Sequence, residues 1–378
     1  MLLAFRDAIR LTTKKVTYEE GCQDPNPDTL KLLKELSLKR RAIEESLNRR
    51  STIKESVAGE MGEVNYQDQQ RLEQYIPLLM HLLAYTDSHP KPSPILCWMC
   101  GLKLKWSSSM TSSCCLKIGG PKFYHIYSFR FELGMSFFLY GAVLRERGFA
   151  TLSTGELVES ATLFRKAAGV FSYLAEKVLP PLKYLLPDES PVEATSSLSS
   201  LMRIICLADA QAVTIKRAEE KENSPLLLSK LHYGISQILD EATCIMNAKP
   251  GELRHLSAAV KGLVSTCKVL HELRSQRSLA EELRGNEKIG IAILVLRHAT
   301  ANLKKVKTPK NEPYTSIFNE EVKDASEMLK KFEHENDFVW QQKIPTAHLL
   351  PSLQGKSIVT SIPYEPQKLE GPELSMFE

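Results

Sequence analysis

From Thr154 to Val178 the residues Leu157, Ala161, Phe164, Ala168, Phe171, Ala175 and Val178 recur at spacings of four and three, which draws one continuous apolar seam along a helix. Pro180-Pro181 stops it, because proline lacks the helical N–H donor and its ring collides with the preceding turn. The same pattern returns in a helix of about Glu193 to Lys221, at Leu201, Ile205, Ala208, Ala212 and Ile215, and again from Pro225 to Met246, with Pro250-Gly251 as the stop. Three further helices are expected at Leu253 to Leu279, Glu281 to Lys305 and Glu312 to Glu335. Long helices joined by brief turns pack as antiparallel pairs, and stacked pairs build a curved solenoid. The expected architecture is therefore mainly α and tetratricopeptide-repeat-like, although the pairs do not follow that repeat's period of about 34 residues.

The first hundred residues read differently. Leu11 to Tyr18 is rich in Thr and Val and suits a strand, Asp28 to Arg50 has helical spacing of Leu30, Leu33, Leu36 and Ile43, and a second helix runs from about Gln69 to Ala84. The run His89-Pro90-Lys91-Pro92-Ser93-Pro94 breaks it. From Ile95 to Tyr127 short alternating pieces such as Leu102-Lys103-Leu104-Lys105-Trp106 imply a small β-sheet that pairs with the N-terminal strand. One domain is expected over 1–352, with mixed structure over 1–127 and the helical solenoid over 128–352. The proline-bearing segment 353–378 is expected to lie extended on its surface.

Composition removes several function classes. Lys and Arg number 49 against 45 Asp and Glu, so the charge balance offers no electrostatic footprint for nucleic acid. The most apolar runs, Gly134 to Leu144 and Ile289 to Leu296, fall far short of the roughly 20 residues that span a bilayer. The 8 cysteines are dispersed and no acceptable Asn-x-Ser/Thr sequon occurs, both of which favour free thiols in a reducing cytosol. Met1 to Asp7 lacks a basic leader and is expected to be folded structure, and Ser375 to Glu378 offers no cysteine for prenylation.

Candidate chemistry is sparse. Cys97-x-x-Cys100 with Cys114-Cys115 is the nearest approach to a zinc site, but the second half lacks the two-residue gap that lets both sulfurs reach one metal. The histidines show no metal spacing, and His255 and His271 are expected to be solvated or satisfied in the core. Gly119-Gly120-Pro121-Lys122 lacks the remainder of a phosphate loop, and no nucleophile elbow or carboxylate pair stands out. No catalytic, cofactor or metal residue is expected, hence no enzyme. Lys39-Arg40-Arg41, Arg49-Arg50 and Lys304-Lys305 could face anionic lipid or simply be solvated.

Three separated motifs carry a family resemblance. His334-Glu335-Asn336-Asp337-Phe338-Val339-Trp340 followed by Lys343-Ile344-Pro345 resembles the signature of BRO domains. Ala208-x-Ala210-Gln211-x-Val213-Thr214-Ile215-x-Arg217-Ala218 is similar to the family's Ala-x-Ala-Gln helix, and Ala167-Ala168-Gly169-Val170-Phe171 matches the helix before it. The likeness extends from about Leu102 to Pro345.

That resemblance implies a non-enzymatic endosomal-sorting adaptor in the cytoplasm, peripherally associated with endosomes. Its concave helical face would bind the C-terminal amphipathic helix of an ESCRT-III charged multivesicular body protein. Carried over by position, the partner patch falls on Thr214, Arg217, Leu227 and Leu231, with Thr162 on the preceding helix. Thr214 stands where a family member carries phenylalanine and Thr162 where it carries lysine. Spacing alone also allows Leu228, Leu231, Ile235, Ile238 and Ala242 to form a buried stripe, so the two leucines read as either core or patch. A membrane-surface or cytoskeletal scaffold of the same fold without ESCRT-III contact is the alternative.

Overall fold

The structure, a computed structural model, describes residues 7–20, 22, 27–50, 58–88, 98–99, 101–111, 122–303 and 314–367. Two helices, α1 (Pro27–Arg50) and α2 (Ala58–Ser88), precede a hairpin of β1 (Leu104–Ser107) and β2 (Phe123–Ile126). Seven α-helices follow among the described residues: α3 (Phe129–Ser153), α4 (Leu157–Tyr173), α5 (Ser196–Glu220), α6 (Pro225–Ala248), α7 (Ala258–Gly285), α8 (Ile289–Leu303) and α9 (Tyr314–Glu335). Each packs on its neighbours in chain order, and α9 also reaches back to α7. The mainly helical fold with a small antiparallel sheet is thus as the seams imply.

Local chemistry sets the helix starts. Thr195, Ser224 and Ser257 accept from the backbone N–H groups of Leu198 (3.3 Å), Leu227 (3.3 Å) and Val260 (3.4 Å), each satisfying a donor the first turn leaves open. Pro225 follows its cap at the first helical position, where the missing N–H costs nothing.

α3 is the central rod. All but one of its residues from Phe129 to Leu144 are buried, which explains why this stretch reads as an apolar run without a polar face. α5 is also long and apolar enough to cross a membrane by composition, yet 72% of its most apolar window is buried within the protein, as befits a core helix.

A polar hub ties the N-terminal elements to α3. Glu132 is fully buried and accepts from Arg40 Nε at 2.7 Å, Trp106 Nε1 at 2.6 Å and Tyr75 OH at 3.1 Å; Tyr18 OH lies 2.7 Å from Tyr75 OH. Arg40 also donates to Thr13 Oγ1. Burial pushes the Tyr18 and Tyr75 hydroxyls well above the ordinary phenol range, so both remain neutral donors.

Several expectations need correction. The N-terminal strand reduces to an isolated bridge between Thr13 and Trp106, held by the Ser107 N–H on the Thr12 carbonyl at 2.8 Å and the Lys14 N–H on the Lys105 carbonyl at 3.3 Å. The seam of Thr154 to Val178 is broken by a π-helical turn at Leu174–Val178. The boundary placed near Leu279 lies instead at Gly285-Asn286-Glu287, where Glu287 adopts φ 61° and reverses the chain.

Candidate partner-docking site

From Pro351 to Gln367 the chain runs extended back across α4, α5 and α6 as a strap. The Lys356 N–H donates to the Lys230 carbonyl at 2.8 Å, and the Ile362 N–H donates to the Arg165 carbonyl at 3.0 Å. Between them Gln211 is a clamp: its Nε2 donates to the Lys356 carbonyl (3.0 Å) and the Leu231 carbonyl (2.9 Å), while its Oε1 accepts from the Ile358 N–H (3.1 Å). Arg165 Nε donates to the Thr360 carbonyl at 2.7 Å. Tyr364 then closes the strap, its ring centroid 5.2 Å from Phe137 and 5.1 Å from Tyr173.

The strap needs backbone-to-backbone approach at two glycines. A Cβ on Gly169 would stand 1.8 Å from the Ile362 carbonyl oxygen, and one on Gly234 would stand 2.5 Å from that of Lys356. The third motif serves the same path. Asn336 grips Gln342 through both side-chain atoms, each at 3.0 Å, across a π-helical turn that ends with Gln341 at φ 48°. Gln342 in turn accepts from the Gly290 N–H at 3.1 Å and donates to the Glu287 carbonyl at 2.6 Å. The turn therefore docks on the α7–α8 corner and sends the chain toward the strap.

Beside the strap lies a trough of about 240 Å³ between α4 and α5, and it brings together Thr162, Thr214 and Arg217. Both threonine hydroxyls donate to the carbonyl four residues back, Val158 at 2.9 Å and Ala210 at 3.0 Å, so the groups left for a guest are chiefly their methyls. Arg217 is exposed and forms no ion pair among the described residues. Sequence reasoning missed two apolar residues on the rim, Val158 at 58% exposure and Ile358 at 47%. Their signal was weak: Val158 lies outside the seam of its helix, and Ile358 sits in a polar, proline-flanked segment.

The leucines do not join this group. Leu231 is 2% exposed and belongs to the main core, so its assignment as a surface contact is corrected: it falls on the stripe with Ile235 and Leu239 that packs inward. Leu227 is half-buried against the edge of the same core, at the first turn of α6. The basic pairs fare similarly. Arg40 is fully buried on Glu132 and Arg50 is bound to Asp68 at 2.8 Å, so neither faces a lipid surface. Lys304 and Lys305 lie outside the described residues, as do Cys97, Cys100, Cys114 and Cys115. No group of three or more His, Cys, Asp or Glu able to hold a metal occurs among the described residues.

A second, wider cleft of about 700 Å³ opens where α5, α6, α7 and α9 meet. On its wall His232 and His271 face each other, Nδ1 to Nδ1 at 3.0 Å, at 5% and 6% exposure. Burial holds both imidazoles below the usual histidine range, with the neighbouring His232 adding to the effect on His271. Glu219, 3.8 Å from His232 Nε2, is held below the ordinary carboxylate range chiefly by that contact.

A stack of helices with an extended strap laid across it, and a shallow trough beside the strap, defines a helical scaffold. The chain belongs to the BRO1-like domain family, whose model matches residues 23–378. The match takes in the N-terminal helices and the strap as well as the three motifs. Among curated proteins it is similar to the human BRO1 domain-containing protein BROX, at 27% identity over 265 residues, covering 64% of this chain and 61% of that protein. It is also similar to ALG-2 interacting protein X of Dictyostelium discoideum, at 26% identity over 254 residues, covering 63% of this chain and 30% of that protein. The chain thus spans about three fifths of the length of its human relative. Two solved structures share the fold: the ALIX BRO1 CHMP4C complex, with a TM-score of 0.70, 17% identity and coverage of 95% and 96%, and a Bro1 domain solved for its endosomal targeting, with a TM-score of 0.67, 17% identity and coverage of 96% and 94%.

Proposed function

We propose that the chain is a non-enzymatic adaptor of endosomal sorting that captures the C-terminal amphipathic helix of an ESCRT-III charged multivesicular body protein in the trough between α4 and α5. Family membership and the solved complex of the ALIX BRO1 domain with CHMP4C support the class of partner. The observation that carries the placement is the trough itself. Its floor is threonine methyl and aliphatic carbon, its rim carries exposed Val158, and Arg217 stands over it without a counter-charge among the described residues. An amphipathic helix can lay an apolar stripe on such a floor and set a carboxylate against the guanidinium. Cytoplasmic residence at the endosomal surface follows from that role.

The test is titration of a labelled ESCRT-III tail peptide with the purified chain. Arg217→Glu and Val158→Asp should each weaken binding by about tenfold, the scale of a good interface contact. Binding unchanged in both variants removes this site.

A further inference from the structure

We propose that Ile358 is a specificity-determining contact of the docking trough and that Gln211 is its positioning residue; this rests on the adaptor reading above.

The alternation of the strap is the starting point. The main-chain bonds from 356 to 362 all involve even-numbered residues: Lys356 through both its N–H and its carbonyl, Ile358 through its N–H, Thr360 through its carbonyl and Ile362 through its N–H. An extended chain directs successive side chains to opposite sides. Val359 packs inward against Leu157, Phe164, Ala210 and Val213. Its neighbour Ile358 is therefore turned the other way, and it stands 47% exposed at the edge of the trough.

An isoleucine held against water by a clamped backbone is a preorganised apolar lip. Its neighbours at Ser357, Thr360 and Ser361 are polar, so local composition does not call for an aliphatic side chain there. The clamp removes the ordering cost that a free tail would have to meet on binding.

Charge selects the occupant. The trough is lined by two charged side chains, Arg165 and Arg217, and no acid. Arg165 is engaged with the Thr360 carbonyl. Arg217 alone is left to meet a guest, which must then bring a carboxylate on one side and an aliphatic or aromatic side chain on the other. The fitting partner is an acidic amphipathic helix lying alongside the strap, wedged between Ile358 and the α4–α5 floor.

The experiment is peptide titration with the ESCRT-III tail against the wild-type chain, Ile358→Asp, Ile358→Val and Arg217→Glu, combined with hydrogen exchange at the Lys356 and Ile358 amides and with sedimentation velocity. Expected results are binding weakened about tenfold or more in Ile358→Asp with amide protection and melting temperature unchanged, and binding within about threefold of wild type in Ile358→Val. Wild-type affinity in Ile358→Asp while Arg217→Glu loses binding overturns the role of the strap and leaves the trough in place. A peptide that binds Ile358→Asp and Arg217→Glu as well as it binds the wild type, or that binds no form at all, overturns the adaptor site together with this proposal. A dimer of the free chain that Ile358→Asp dissociates assigns the lip to self-association, and overturns it as well.

Discussion

The Gln211 side chain holds the Lys356 carbonyl at 3.0 Å and the Ile358 N–H at 3.1 Å, so one buried amide on α5 satisfies both polar groups of a strap that lies some 145 residues downstream in sequence. Replacement by leucine would strip three hydrogen bonds and leave buried partners open. Gln211→Leu is expected to cost about 2–4 kcal/mol and to abolish amide protection at Ile358, as read by hydrogen exchange and urea unfolding. Full protection in that variant would show that the clamp is dispensable.

Gly169 tests the strap from the other side. A methyl there collides with the Ile362 carbonyl, which is backbone and cannot rotate away. Gly169→Ala should therefore lift the segment and expose it to limited proteolysis after Ser357, at a cost of about 1–3 kcal/mol. Gly262→Ala, where nothing lies within 4 Å, is the control; it should be neutral or slightly stabilising, since alanine favours a helix interior.

The hub around Glu132 sets a third expectation. In Glu132→Gln the shape is kept, but Arg40, fully buried, loses the charge that compensates it. Breaking one side of such a pair costs about 3–5 kcal/mol, measurable by chemical denaturation. A loss under about 1 kcal/mol would mean that water or Thr13 suffices to support the guanidinium.

Acidification should act through the histidine pair. Both imidazoles are held below 6.5 in the folded chain, so the unfolded chain takes up protons first as pH falls. Stability is then complete above about pH 6.5 and declines as pH drops toward the folded values. The charged side chains acting on the pair are Glu219 on α5 and Arg274 on α7; Glu321 on α9 in turn pairs Arg274 at 2.6 Å and Arg277 at 2.9 Å. Urea midpoints at pH 7.5 and pH 5.5 should differ in the wild type and converge in a His232→Asn/His271→Asn double variant. Equal separation in both would exclude the pair as the origin.

Much of the fold was legible because helices announce themselves by period: seams and prolines locate α4 through α6 within a few residues. The α7–α8 corner lies beyond the expected boundary, at Gly285-Asn286, where both residues suit a chain reversal but the helical apolar spacing gives no sign of one. The site was less legible. Spacing put Leu227 and Leu231 on one side of a helix, but periodicity cannot say whether that side meets another helix or water, and for Leu231 it meets the core. The three motifs were recognisable as words, while their shared purpose was not: Gly169, Gln211 and Asn336 all act on the returning C-terminal segment, and no local pattern records a contact between residues so far apart.

That distance has a consequence for how the molecule comes into being. The bond between Arg165 and Thr360 spans 195 positions and that between Gln211 and Ile358 spans 147. During synthesis α4, α5 and α6 leave the ribosome long before the residues that will seal them, so the nascent stack must persist with Gln211 hydrated and the Val359 slot vacant. Whatever guards that slot in the interim, water or a chaperone, is displaced only when the strap arrives, and the trough that Ile358 and Val359 line is complete only from that moment.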